Sequence, residues 1–249
     1  MGSGGNVRHV GLARALSKLG YCSRSQASEL IRAGRVTLNG ETRHDPETPV
    51  RLERDRIEVD RRIIGEEAKL YLMLNKPRGV VTTASDEKGR DTVYSYLSAD
   101  LPWVAPVGRL DKASEGLLLL TNDSEWAARI SDPETHLDKT YHVQVGAVVD
   151  EKHLVEMTKG IRIGNGEVLR AQQARVLRSG QRNTWLEIVL DEGKNRQIRR
   201  MLEASDIEVL RLLRVAIGPL VLGKLAKGTS RAVSSEEKHA IDRAMKAPG

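Results

Sequence analysis

Between Gly108 and Thr121, four charged side chains (Arg109, Asp111, Lys112 and Glu115) stand against the run Leu117-Leu118-Leu119-Leu120. Four successive leucines leave no polar face, which predicts a strand buried on both sides. A carboxylate and a guanidinium at the mouth of such a strand lose hydration, and something must compensate for that loss. A structural Arg–Asp pair or a turn carboxylate accounts for a lone Arg-Leu-Asp. An ionised carboxylate at the rim of a core is also the group that acts as nucleophile, or stabilises an electron-poor sugar carbon, in glycosidic chemistry.

Other chemistries lack their residues. The six histidines are dispersed, no Cys-x-x-Cys occurs, and no pair has metal-ligand spacing. Gly-x-x-x-x-Gly-Lys-Ser/Thr, a strand-following Gly-x-Gly-x-x-Gly and Gly-x-Ser-x-Gly are all missing. The expectation is a carboxylate-centred site with no metal and no cofactor. With 249 residues, 39% of them hydrophobic and 30% charged, the chain reads as a soluble globular protein. It has no stretch apolar enough to span a bilayer and no secretory leader, and its single cysteine, Cys22, rules out an internal disulfide, so a cytoplasmic location is expected.

The net charge of +6 is unevenly placed. Residues 1–40 carry six bases against Glu29 alone, and residues 192–231 carry nine against four acids. Two separate basic segments on a near-neutral body point to a polyanion touched at two places. Phenylalanine is absent and only eight residues are aromatic, so stacking platforms for a generic single-strand binder are few.

The elements that must position these residues follow from local pattern. Residues 1–8 read as a flexible leader. Leu12, Ala15, Leu16 and Leu19 have helical spacing, with Gly20 as stop. Ser23 with Gln26 forms a capping box for a second helix carrying Ala27, Leu30 and Ile31 and ending at Gly34. Strands are expected at 35–38 and 56–60, with Asn39-Gly40 as a hairpin turn. After a short polar linker, a strand over 70–74 is closed by Asn75-Lys76-Pro77-Arg78-Gly79. Further strands are expected at 141–145, 161–163, 168–169 and 185–190, a helix runs from Asp150 as cap to Gly160, and Ser234 with Glu237 opens a last helix. Hairpins outnumber strand-helix-strand repeats, so the fold class is α+β with a mainly antiparallel mixed sheet and flanking helices.

The block Gly108-Arg109-Leu110-Asp111 with its leucine run resembles the catalytic motif of RNA pseudouridine synthases, in the branch of RsuA, RluB, RluE and RluF. Leu74-Asn75-Lys76-Pro77-Arg78-Gly79, Lys139-Thr140-Tyr141, Gly193 to Leu202 and Leu212 to Gly218 resemble further motifs of that branch. Residues 27–40 are similar to the RNA-binding module known as the S-four domain. The resemblance implies an RNA-binding domain over 9–66 and a catalytic domain over 67–249. It implies that Asp111 is the catalytic aspartate, that Arg199 pairs with it, and that Tyr141 stacks on a flipped uracil and assists proton removal. Whether Asp111 attacks the sugar, attacks the base or removes a proton stays open. By the same resemblance, Arg109 fills the space left by the flipped nucleotide, Leu213 packs against the target base, and Lys76 belongs to the substrate site.

Arg14, Lys18, Arg24, Arg32 and Arg35 on the small domain, with Lys194, Arg196 and Arg200 on the large one, are expected to contact RNA phosphates. The implied activity is site-specific isomerisation of uridine in ribosomal RNA or a pre-ribosomal particle, by a monomer without cofactor. Lys194-Asn195-Arg196-Gln197 and Leu212-Leu213-Arg214-Val215-Ala216-Ile217-Gly218 favour large-subunit over small-subunit RNA. The competing classes are a non-catalytic ribosome-assembly protein and a nucleoside hydrolase.

Overall fold

The structure is a computed structural model that describes residues 9–65, 67–83, 89–164 and 166–245. The leader expected at residues 1–8 and the linker residue Glu66 lie outside the described residues. The chain divides into two compact units. The first holds the described residues up to Leu70 with 98–105 and 121–124, and the second holds 71–97, 106–120 and the described residues from Glu125 onward.

In the first unit, β1 (Val10–Gly11) leads into α1 (Leu12–Lys18) and α2 (Arg24–Arg32), followed by β2 (Val36–Leu38), β3 (Glu41–Arg43), β4 (Pro49–Val50), β5 (Ile57–Val59) and β6 (Arg62–Ile63). Ser23 accepts from the Gln26 amide at 3.2 Å and Gln26 returns the bond to the Ser23 amide at 3.1 Å, so the capping box forms as expected. Asn39 and Gly40 have φ of 54° and 85°, the two left-handed residues that a tight hairpin between β2 and β3 requires. The four strands β3-β2-β5-β6 pair antiparallel, and Leu12, Leu16, Ala27, Ile31, Val36, Ile57 and Val59 form the core beneath them.

The rest of the chain, most of it in the second unit, forms β7 (Tyr71–Lys76), β8 (Ala105–Pro106), β9 (Glu115–Thr121), α3 (Ser124–Ser131), β10 (Lys139–Val145), α4 (Glu151–Lys159), β11 (Ile161–Arg162), β12 (Val168–Leu169), β13 (Gln173–Ser179), β14 (Thr184–Leu190), α5 (Gln197–Glu203), β15 (Val209–Ile217), β16 (Leu220–Val221), β17 (Ser230–Ala232) and α6 (Ser235–Ala244). The main sheet runs β13-β14-β10-β15-β9-β7-β17, with β16 on β15 and β8 on β9. β13-β14-β10-β15, β16 on β15 and β17 on β7 pair antiparallel, and β9 joins β15 in parallel. The mixed, mainly antiparallel α+β class is as expected.

Successive residues of a strand face opposite ways, and Leu212 and Leu213 show what lies on each face. Leu212 is buried with Val143, Leu186 and Ile188 under Met157 of α4 and Ile198, Met201 and Leu202 of α5. Leu213 packs with Met73, Leu117 and Leu119 against Trp126 of α3 and Ile241 of α6. All four leucines of the 117–120 run are fully buried, as the absence of a polar face demands.

The strand expected to stop at Leu74 continues through Asn75 and Lys76. Both residues gain partners within the fold: Asn75 Nδ2 donates to Leu225 O at 2.8 Å, and Lys76 turns inward, as described below.

Where β9 meets β15, Gly116 has φ +104°, and a side-chain carbon there would lie 2.3 Å from Arg214 O and 2.9 Å from its amide. Only glycine fits, because both contacts are backbone and cannot yield. Gly116→Ala is expected to destabilise the protein by about 3 kcal/mol or more, read as a lowered urea midpoint.

Candidate active site

The loop from Gly108 to Ser114 turns on Gly108 (φ 68°) and is anchored by buried Leu110. Its carbonyls are held one after another. Thr82 Oγ1 donates to Leu110 O at 2.8 Å, and the Ser114 amide donates to Asp111 O at 2.9 Å. The Gly79 amide donates to Lys112 O at 2.7 Å, and Arg199 Nη2 donates to Ala113 O at 3.1 Å. Lys76 Nζ reaches Asp111 O at 3.2 Å, Ser114 O at 2.9 Å and Pro77 O at 3.0 Å. Every carbonyl from Leu110 to Ser114 therefore accepts a hydrogen bond, which fixes the loop that carries Asp111.

Lys76 is fully buried, and its ammonium offers three N–H groups to three carbonyls. Burial pulls its pKa down to about 8, while the charges of Asp111 and Glu115 act in the opposite direction. This corrects the placement of Lys76 in the substrate site. The side chain has no solvent-facing surface and braces the loop from behind.

Asp111 is partly open, its side chain 32% exposed, and Arg196 Nη1 lies 3.6 Å from its Oδ2. The ion pair expected from Arg199 is thus made by Arg196. Arg199 is half-buried and spends Nη2 on Ala113 O, and its Nε is buried without a partner. Burial lowers the Arg199 pKa, Arg196 lowers it further, Asp111 opposes, and Arg78 adds to the depression. Arg196 and Arg199 therefore both act on the Asp111 carboxylate, and Arg78 stands close to Arg199. The switch of partner arises in the backbone: Arg196 is the N-cap of α5 in the left-handed region (φ 49°), a conformation no sequence period reveals. Gln197 anchors the start of that helix, donating to Arg170 O at 3.0 Å and to Glu192 Oε1 at 2.9 Å.

Tyr141 is half-buried on β10 and packs against the same core as Ile198, Met201 and Leu202 of α5. It thus shares the sheet face covered by the helix that carries Arg199. Opposite it in the ladder stands Arg214, buried, with Nε donating to Leu117 O at 2.7 Å. Leu213 pairs with His142 and faces away from Tyr141, whereas Leu212 is on the Tyr141 face. The assignment of Leu213 is corrected accordingly. A bulge between Thr140 and Tyr141 sets this register, and the leucine-rich segment alone does not disclose it.

Arg109 is exposed at the rim of the loop. Lys194 and Arg200, expected on phosphate, lie against carboxylates of the protein. Lys194 lies 3.0 Å from Glu192 and 3.7 Å from Glu167, and Arg200 lies 2.5 Å from Glu167. In the first unit, Arg14, Arg24 and Arg32 are exposed and make no ion pair among the described residues. Lys18 is half-buried, and Arg35 forks onto Asp60, with Nε 2.9 Å from Oδ1. Glu115, the second carboxylate of the motif, is buried and bound by Arg211 Nε at 2.8 Å and Lys227 Nζ at 2.5 Å. Burial pushes its carboxyl up, but the two cations outweigh that and leave it below the usual range. Among the described residues, no group of three or more His, Cys, Asp and Glu could hold a metal ion, and no helix is long and apolar enough to cross a membrane.

Lys76→Met removes the donor from the Asp111, Ser114 and Pro77 carbonyls and is expected to cost about 2–4 kcal/mol. The wild-type advantage should grow with pH. In the fold Lys76 releases its proton near pH 8, but in the unfolded chain it holds it to about 10.5, so between these values the unfolded state binds more protons. Urea unfolding of both proteins across that window checks the rise.

The profile of the RNA pseudouridylate synthase family matches residues 70–204, and that of the S4 domain matches residues 10–57. The chain is 39% identical over 241 residues to an uncharacterised RNA pseudouridine synthase of Aquifex aeolicus, covering 96% of each. It is 35% identical over 227 residues to the ribosomal large subunit pseudouridine synthase B of Bacillus subtilis, covering 91% of this chain and 93% of that one. A crystal structure of a pseudouridylate synthase superposes with a TM-score of 0.65 at 30% identity, over 93% of this chain and 99% of the other. With an S4 domain ahead of a synthase fold and relatives matched over nearly its whole length, the chain belongs to the RNA pseudouridine synthases, a family of isomerases.

Proposed function

We propose that the protein isomerises one uridine of large-subunit ribosomal RNA, acting as a cytoplasmic monomer, with Asp111 as its catalytic carboxylate. The observation that carries this reading is the partly open carboxylate of Asp111 on a loop held through every carbonyl from Leu110 to Ser114, beside Arg196 and near Arg199. In the reaction the bond from the ribose C1′ to N1 of uracil breaks and the base turns. C1′ then bonds to C5, the C5 proton leaves, and N1 gains a proton. No electron is transferred and no water is consumed, so the chemistry requires no cofactor. A fixed carboxylate serves it by covalent attack, by stabilising an electron-poor sugar or by taking a proton.

Tyr141 supplies a stacking face for the extruded base, Leu212 an apolar contact on the same sheet face, and Arg109 a guanidinium at the rim to occupy the vacated stack. RNA docking falls to residues 9–66, where Arg14, Arg24 and Arg32 are exposed and make no ion pair among the described residues, and the chemistry to residues 67–249. The large-subunit target is supported by the similarity to the Bacillus subtilis large-subunit synthase.

Pseudouridine mapping by carbodiimide-dependent primer stops tests the proposal. Cells lacking the protein are expected to lose one stop in large-subunit RNA. Wild type should restore it, and Asp111→Asn should not. An unchanged stop pattern in all three strains would instead support a non-catalytic RNA-binding role.

A further inference from the structure

The carboxylate of Asp111 has more cation around it than it can neutralise. Arg196 at 3.6 Å, Arg199 and the buried Lys76 all act on this one negative charge, and Arg78 stands close to Arg199. The three arginines are not held alike. Arg199 is fixed to the loop through Ala113 O, and Arg78 Nη1 donates to Leu210 O at 3.3 Å. Arg196 has Asp111 as its ion-pair partner, at 3.6 Å, longer than a normal hydrogen bond, and its side chain is 48% exposed. It stands in the left-handed region at a helix N-cap with no side-chain capping bond. Meanwhile Arg199 keeps a buried Nε with no acceptor. The pair that forms is the loose one, and the better-fixed guanidinium beside it is unsatisfied.

Resting on the reading of Asp111 as the catalytic carboxylate of an RNA-modifying site, we propose that Arg196 is a latch released by substrate. In the free protein Arg196 holds Asp111. When RNA binds, Arg196 turns outward to a backbone phosphate next to the target nucleotide, and the Asp111 carboxylate passes to Arg199, whose Nε supplies the missing donor. A phosphate next to the nucleotide then takes up the charge of the released Arg196. The exchange would couple arrival of the strand to placement of the carboxylate, without any movement of the clamped loop backbone. Arg196 is in this sense a positioning residue, acting on the reaction through Asp111.

A double-mutant cycle on RNA binding tests it. The probe is a transcript of the mapped large-subunit segment made with pseudouridine already at the target, so that no variant turns it over. If Asp111 competes with phosphate for Arg196, D111N should tighten binding about 5-fold in the presence of Arg196 and by under about 2-fold in the R196Q background. R196Q alone should weaken binding and reduce the slope of log K against log salt by about one, and R196K should recover most of both. Equal effects of D111N in the two backgrounds would overturn the exchange. So would an R196Q protein with lowered kcat but unchanged affinity and salt slope, because Arg196 would then stay on Asp111 in the complex. Urea midpoints confirm that each variant is folded. Release of tritium from C5-labelled uridine by D111N would sink the catalytic reading of Asp111, while the binding cycle would still decide the exchange.

Discussion

A buried ammonium organises the catalytic half of this protein. Lys76 sits at the end of a central strand with no exposed surface, and its three N–H groups end on carbonyls of Pro77, Asp111 and Ser114. A charge in that position is costly unless every donor is met, and removing any acceptor leaves an unpaired donor in a dry environment. The backbone of the Asp111 loop is thus drawn onto a fixed point. The hydrogen bonds from Thr82, Gly79, Ser114 and Arg199 hold the same few residues from other directions. Buried Leu110 adds an apolar anchor, so the carboxylate of Asp111 projects from a fixed backbone.

Around that side chain the electrostatics are asymmetric. Glu115, four residues further on, is sealed by Arg211 and Lys227, which separates the two carboxylates of the motif into a structural one and an available one. Lys194 and Arg200 are likewise neutralised by Glu167 and Glu192. Arg196 and Arg199, by contrast, share the single carboxylate of Asp111. A rigid backbone under a surplus of positive charge suits a site that must grip a phosphate-linked strand and still present one anionic oxygen to it.

Local features were legible before any tertiary contact was known. The capping boxes Ser23/Gln26 and Ser234/Glu237, the Asn39-Gly40 turn and the helix ending at Gly160 form because neighbouring residues satisfy one another within a few positions. The leucine run was legible for the complementary reason: without a polar face, it has no stable place but the interior. The motif resemblance led correctly to the family. It misled where a role depends on which way a side chain points. Leu212 and Leu213 differ only in parity, and a bulge in the pairing with β10 sets that parity. Arg196 and Arg199 differ by one helical turn, and a left-handed N-cap decides which of them reaches Asp111.

The order of residues alone therefore determined the α+β class, many of the elements and the family. These depend on short-range spacing and on the balance of apolar and polar residues, both of which are written along the chain. The tertiary structure decided the partners. It turned Lys76 inward to brace a loop 35 residues away, gave Asp111 to Arg196, and set Lys194 and Arg200 beside carboxylates of the protein itself. Charges pair through space according to distance and desolvation, and neither quantity exists until the strands are side by side.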